Sequence, residues 1–92
     1  MPYEIVYTAK YERRLHQFLK QHPELFSQYE KIIQLLKANP HHPSLRLHKL
    51  KGSLATFHSV SINMKYRITI EFIIQDKLII PVMVGSHDEA YR

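Results

Sequence analysis

The 92-residue chain contains no cysteine. That removes disulfides and thiolate chemistry and fits a reducing compartment. It also lacks any apolar run of bilayer length. The longest strongly apolar stretch, Leu78 to Val84, falls well short of the roughly 20 residues that a spanning helix needs. Met1-Pro2-Tyr3-Glu4 shows no basic region followed by an apolar segment, so no export signal is expected. A soluble, cytoplasmic protein with no membrane contact is the expectation. Metal-ligand spacing is missing too. His41 and His42 are adjacent rather than one helical turn apart, and no His-Glu-x-x-His occurs. Neither a metal nor a small-molecule cofactor is expected. No repeat, low-complexity tract or linker divides the sequence, so residues 1–92 read as one domain.

What the chain has is apolar surface and positive charge. Hydrophobic residues make up 45% of it, enough to offset chain entropy and exclude disorder. Thirteen Lys and Arg stand against eight Asp and Glu, a formal +5, with seven histidines besides. A small basic domain meets polyanions readily through counterion release and steering, so nucleic acid is a natural partner. The same charge also serves simple solubility.

The apolar period changes along the chain. Tyr3 to Tyr7 is rich in β-branched and aromatic residues and reads as a strand. Thr8 is placed to cap a helix in which Tyr11, Leu15, Phe18 and Leu19 recur at helical spacing. Lys10, Arg13, Arg14, Gln17 and Lys20 take the other face. Pro23 suits the first turn of a second helix, whose stripe is Tyr29, Ile32, Ile33 and Leu36. Asn39-Pro40 ends it. After the His41-His42-Pro43 loop the period becomes two.

Leu54 to Ile62 reads as one strand, Asn63-Met64-Lys65 as a turn, and the next strand begins at Tyr66. In that strand Tyr66, Ile68, Ile70, Phe72 and Ile74 share one face, and Arg67, Thr69 and Glu71 the other. Gln75-Asp76-Lys77 turns into a last strand, Leu78 to Val84, where Pro81 requires an edge or a bulge. The expected fold is α+β: two N-terminal helices on one face of a mainly antiparallel four-stranded sheet, in the order β-α-α-β-β-β. Arg67 then projects from the uncovered face.

Three segments carry a resemblance: His48-Lys49-Leu50-Lys51-Gly52, Lys65-Tyr66-Arg67-Ile68, and Val84-Gly85-Ser86-His87-Asp88-Glu89-Ala90-Tyr91. In this order the chain resembles the RelE/ParE toxin superfamily, nearest its YafQ and RelE/StbE branches, over nearly its whole length. The resemblance implies the toxin of a toxin–antitoxin pair, with a cognate antitoxin, the ribosome and mRNA as partners. It implies metal-independent cleavage of mRNA in the ribosomal A site, the 2′-hydroxyl attacking the neighbouring phosphodiester to leave a 2′,3′-cyclic phosphate. That chemistry needs a base, cations around the phosphorane and an acid.

Residue by residue, the resemblance matches His48 and His87 to the YafQ branch's histidines and Tyr91 to its C-terminal aromatic residue. Arg67 matches the arginine of the RelE branch, and His58 that branch's basic residue on the preceding strand. Lys49, Lys51 and Lys65 are placed to bind RNA phosphates. The chain departs from the pattern at Ser61, Lys65 and Met83, where the YafQ branch has a histidine, an aspartate and an arginine.

Each residue also has a plainer reading. His87 fits a surface turn, His48 a strand edge, and Arg67 a cross-strand pair with Glu71. Tyr91 fits an aromatic lid, and the lysines an ordinary solvated surface. His58 shares its strand face with Val60 and Ile62, which points it toward the core. Two other functions remain open: inhibition of DNA gyrase by binding, as in the ParE branch, and a non-catalytic module that binds RNA or antitoxin.

Overall fold

In the computed structural model, which describes residues 2–50 and 57–86, the change of apolar period marks the change from helix to sheet. The first strand, β1 (Glu4–Ile5), is short. Thr8 caps the helix α1 (Ala9–Gln21), its hydroxyl accepting from the Tyr11 amide at 3.1 Å. A threonine there satisfies an amide that the first helical turn leaves without a partner. Pro23 opens a 3-10 turn, Pro23–Leu25, and the second helix, α2, runs Phe26–Ala38. Its start is later than the proline suggests because the tighter turn takes up the entry to the helix. Asn39 is extended ahead of Pro40 and ends α2.

The remaining strands are β2 (His48–Lys49), β3 (Phe57–Ser61), β4 (Tyr66–Ile73) and β5 (Leu78–Ser86). They join β1 in a sheet of order β1-β5-β4-β3-β2. The β1–β5 pairing is parallel and the others antiparallel. The α+β architecture is the expected one, with five strands instead of four. The added strand is β2, whose two residues are too few to show a period. Leu54, Ala55 and Thr56, expected at the start of β3, lie outside the described residues.

One sheet face is closed by the helices. Val60, Ile62, Ile68, Ile70, Phe72 and Ile79 pack with Tyr11, Phe18, Tyr29, Ile32, Ile33 and Leu36 in a single buried cluster. Pro81 is buried in β5, which has neighbours on both sides, β1 and β4. Of the two expected settings for it, the bulge is the one found. Ile70 faces Pro81 while Thr69 faces Met83, so Val82 is left over between them. The extra residue resets the parity of β5: Val84 returns to the Ile68 side and Gly85 falls opposite Arg67. Arg14 of α1 covers the bulge, its Nη1 donating to the Val82 carbonyl at 2.9 Å and lying 2.6 Å from Met83 Sδ.

Beneath the helices the Tyr11 and Tyr29 hydroxyls are 2.8 Å apart. Burial is the main cause that pushes both phenols well above their ordinary range; for Tyr29 the neighbouring Tyr11 adds to it, whereas Tyr11's bond to Tyr29 opposes it. The folded protein thus keeps two protons that the unfolded chain loses above about pH 10. Their contribution to stability is complete below that pH and is lost as the pH rises further. The melting temperature should therefore fall between pH 9 and 11, and fall less steeply in Tyr29→Phe. Leu36 is fully buried, so Leu36→Ala should cost about 2–5 kcal/mol in denaturant unfolding. Thr8→Ala should cost about 1 kcal/mol through the lost cap.

Candidate nucleic-acid interface

The sheet face turned away from the helices is built by parity. Residues directly opposite in neighbouring strands point to the same side. Arg67 faces Ser61 and Gly85, and Thr69 faces Ser59 and Met83. His48 on β2 also faces Ser59, which brings it to the Arg67 side. Gly85 has no side chain to crowd the guanidinium beside it.

Three acceptors lie around Arg67. Its Nε donates to Ser59 Oγ at 2.5 Å, and its Nη2 donates to the Arg46 carbonyl at 3.2 Å. The same Nη2 lies 3.3 Å from His48 Nδ1. Ser59 is fully buried, so its hydroxyl is a fixed anchor. Arg46 has a left-handed backbone, φ 49° and ψ 47°, where the 3-10 turn Pro43–Leu45 ends. A side chain in this region costs roughly 1–3 kcal/mol, and here the strained residue presents the carbonyl that receives Arg67. No carboxylate lies within ion-pair distance of Arg67 among the described residues; the cross-strand pair with Glu71 is not formed.

Arginine can only donate, so the contact with Arg67 requires the tautomer in which His48 Nδ1 accepts. In that tautomer the ring proton sits on Nε2. The Arg46 carbonyl is 3.3 Å from the same Nδ1 and accepts from it whenever that nitrogen carries a proton. His48 is exposed.

The other candidates divide. His58 faces Ile70 on the helix side and packs edge-on against Phe72 at 5.3 Å, as its parity in the sequence indicated. Lys49 faces His58 and shares that side. The Lys65 ammonium lies 5.4 Å over the Tyr66 ring, which packs against Phe18 and His22 beneath the sheet. Ser61 faces Arg67 but donates its hydroxyl to the Asn63 carbonyl at 2.6 Å. Lys51, His87 and Tyr91 lie outside the described residues. The structure thus joins His48 and Arg67 and leaves His58, Lys49 and Lys65 elsewhere.

Ser59 and the Arg46 carbonyl are neighbours of Arg67 that the sequence did not reveal. Ser59 is diagonal to Arg67 across β3 and β4, a relation visible only once the register is known. Arg46 carries no glycine-like signal for its left-handed turn. Another basic surface is a groove of about 350 Å³ lined by Arg13, Arg14, Gln17, Phe18, Gln21, Met83 and Val84. Among the described residues no cluster of three His, Cys, Asp or Glu side chains stands ready for a metal ion.

Removing the Arg67 donors should free the His48 ring. In 15N spectra at a pH where the ring is neutral, the native protein should show the Nε2–H tautomer. Arg67→Met should show a mixture; an unchanged tautomer would separate the two residues.

No family model matches the chain, and no curated protein matches its sequence significantly. Its shape does have counterparts. A chain of the Escherichia coli DinJ–YafQ toxin–antitoxin complex superposes with a TM-score of 0.78 at 16% identity, covering 100% of both chains. A metal-bound toxin from Helicobacter pylori gives 0.74 at 24% identity, over 97% of this chain and 98% of that one. A YoeB/ParE toxin from Agrobacterium tumefaciens gives 0.69 at 16% identity, over 91% and 98%. The chain has the RelE/YafQ-like toxin fold.

Proposed function

We infer that this protein is the toxin of a type II toxin–antitoxin pair, and that the sheet face turned away from the helices cleaves mRNA in the ribosomal A site without a metal. The observation that carries the reading is the pairing of Arg67 with His48 on the side of the sheet away from the helices. A guanidinium with no carboxylate partner among the described residues, next to an imidazole that can give or take a proton, suits phosphodiester chemistry.

In this mechanism the RNA 2′-oxygen bonds to phosphorus, the P–O5′ bond breaks, and the products are a 2′,3′-cyclic phosphate and a 5′-hydroxyl. Arg67 meets the charge that builds on the phosphorane oxygens. His48, doubly protonated with Nδ1–H turned to the Arg46 carbonyl, donates its Nε2 proton to the leaving 5′-oxygen. His87 is assigned as the base for the 2′-hydroxyl and Tyr91 as a stacking or phosphate-binding residue, both through the resemblance. A cognate antitoxin, drawn to the basic surface, inhibits by covering Arg67.

A second reading follows from His58. With that histidine on the helix side, His48 is the histidine beside Arg67 among the described residues. A module that binds RNA or antitoxin without cutting needs only the cation.

Message integrity in a reconstituted translation reaction, with 5′ ends mapped, separates the two. The wild type should cut within translated codons, with or without a chelator. His48→Ala and Arg67→Ala should each slow cutting by about 10²-fold or more. Intact message with the wild type, despite binding to ribosomes, would favour the module.

A further inference from the structure

We propose that Ser59 is a positioning residue for Arg67: with the Arg46 carbonyl it holds the guanidinium so that Nη1 faces outward for a phosphate. The catalytic consequence rests on the ribonuclease reading above; the clamp itself does not.

A free arginine side chain samples many rotamers, and its fork has five N–H donors. In this site the donors are allotted. Nε is taken by the Ser59 hydroxyl at 2.5 Å, and Nη2 by the Arg46 carbonyl and His48 Nδ1, at 3.2 and 3.3 Å. Nη1 makes no hydrogen bond with any described residue. The acceptors take the Nε and Nη2 donors of the fork, which leaves Nη1 for a ligand oxygen.

The anchor is rigid at both ends. Ser59 is fully buried in the middle of β3, between β2 and β4. The Arg46 carbonyl is main chain, held by the turn in which the Arg46 amide donates to the Pro43 carbonyl at 3.2 Å. Fixing the cation before substrate arrives removes a reorganisation that the transition state would otherwise bear.

The test compares Ser59→Ala, Ser59→Thr and the wild type, each first shown to be folded by a cooperative thermal transition. Hydrogen exchange at the Arg67 Nε–H, followed by 15N NMR, reads the clamp directly. It should be at least ~10-fold faster in Ser59→Ala than in the wild type and near the wild-type rate in Ser59→Thr, which keeps the hydroxyl. In the ribosome reaction at saturating protein, the cleavage rate constant of Ser59→Ala should fall by roughly 10–100-fold, the scale of a misplaced catalytic group. Its half-saturating concentration should change by less than about threefold, and Ser59→Thr should recover most of the rate. Should Ser59→Ala not fold, Ser59→Cys, of similar shape and a weaker acceptor, takes its place.

Unchanged Nε–H exchange in a folded Ser59→Ala overturns the clamp. Faster exchange with an unchanged cleavage rate overturns the positioning role. If the wild type itself leaves the message intact, the ribonuclease reading fails, and Nε–H exchange alone decides the clamp.

Discussion

The period-two alternation of β4 governs both sides of this protein. Ile68, Ile70 and Phe72 go under the helices, and Arg67, Thr69 and Glu71 take the opposite face. Burying each of the apolar three contributes roughly 1.5–3 kcal/mol. A one-residue slip would exchange the faces, expose those side chains and bury a guanidinium and a carboxylate. The loss would be comparable with the whole stability of an ordinary domain, about 5–15 kcal/mol. The register that makes the core therefore also fixes Arg67 on the face turned away from the helices.

The neighbouring strand needs a correction to agree with that register. Pro81 interrupts the ladder of β5, and the bulge at Val82 absorbs the interruption while shifting the rest of the strand by one residue. Without that shift Gly85 would not lie beside Arg67. Arg14 stabilises the result from α1 by taking up the Val82 carbonyl, which couples the first helix to the geometry of the last strand. A proline that reads as a defect in a strand becomes the point at which helix, core and open face are adjusted to each other.

The site itself is assembled from positions far apart in the chain. Arg67 comes from the central strand, Ser59 from the next, and His48 and the Arg46 carbonyl from the sheet's far edge and the turn before it. A buried hydroxyl, a strained main-chain carbonyl and an imidazole nitrogen surround a cation that has no carboxylate within ion-pair distance among the described residues. Among the described residues its orientation is fixed by hydrogen-bond acceptors and not by an ion pair. That combination suits recognition of a phosphate, because it retains attraction and limits the freedom lost on binding.

Much of this was legible in the sequence. Helical stripes gave the two helices, Thr8 and Asn39-Pro40 their limits, and alternation the long strands. Parity alone put Arg67 on the side away from the helices and turned His58 toward the core, because side-chain direction in a strand is a local property of the backbone. Other features were not legible. The strand β2 is too short to carry a period, Arg46 takes a left-handed turn without a glycine, and Ser59 is an ordinary small residue on a strand. The sequence by itself determined the layers, the basic character and which residues face away from the core, all matters of local spacing and composition. Only the tertiary structure decided that His48, Ser59 and the Arg46 carbonyl meet at Arg67, because that meeting depends on strand order, cross-strand register and one bulge. Those are set by how distant segments pack, and no local pattern encodes them.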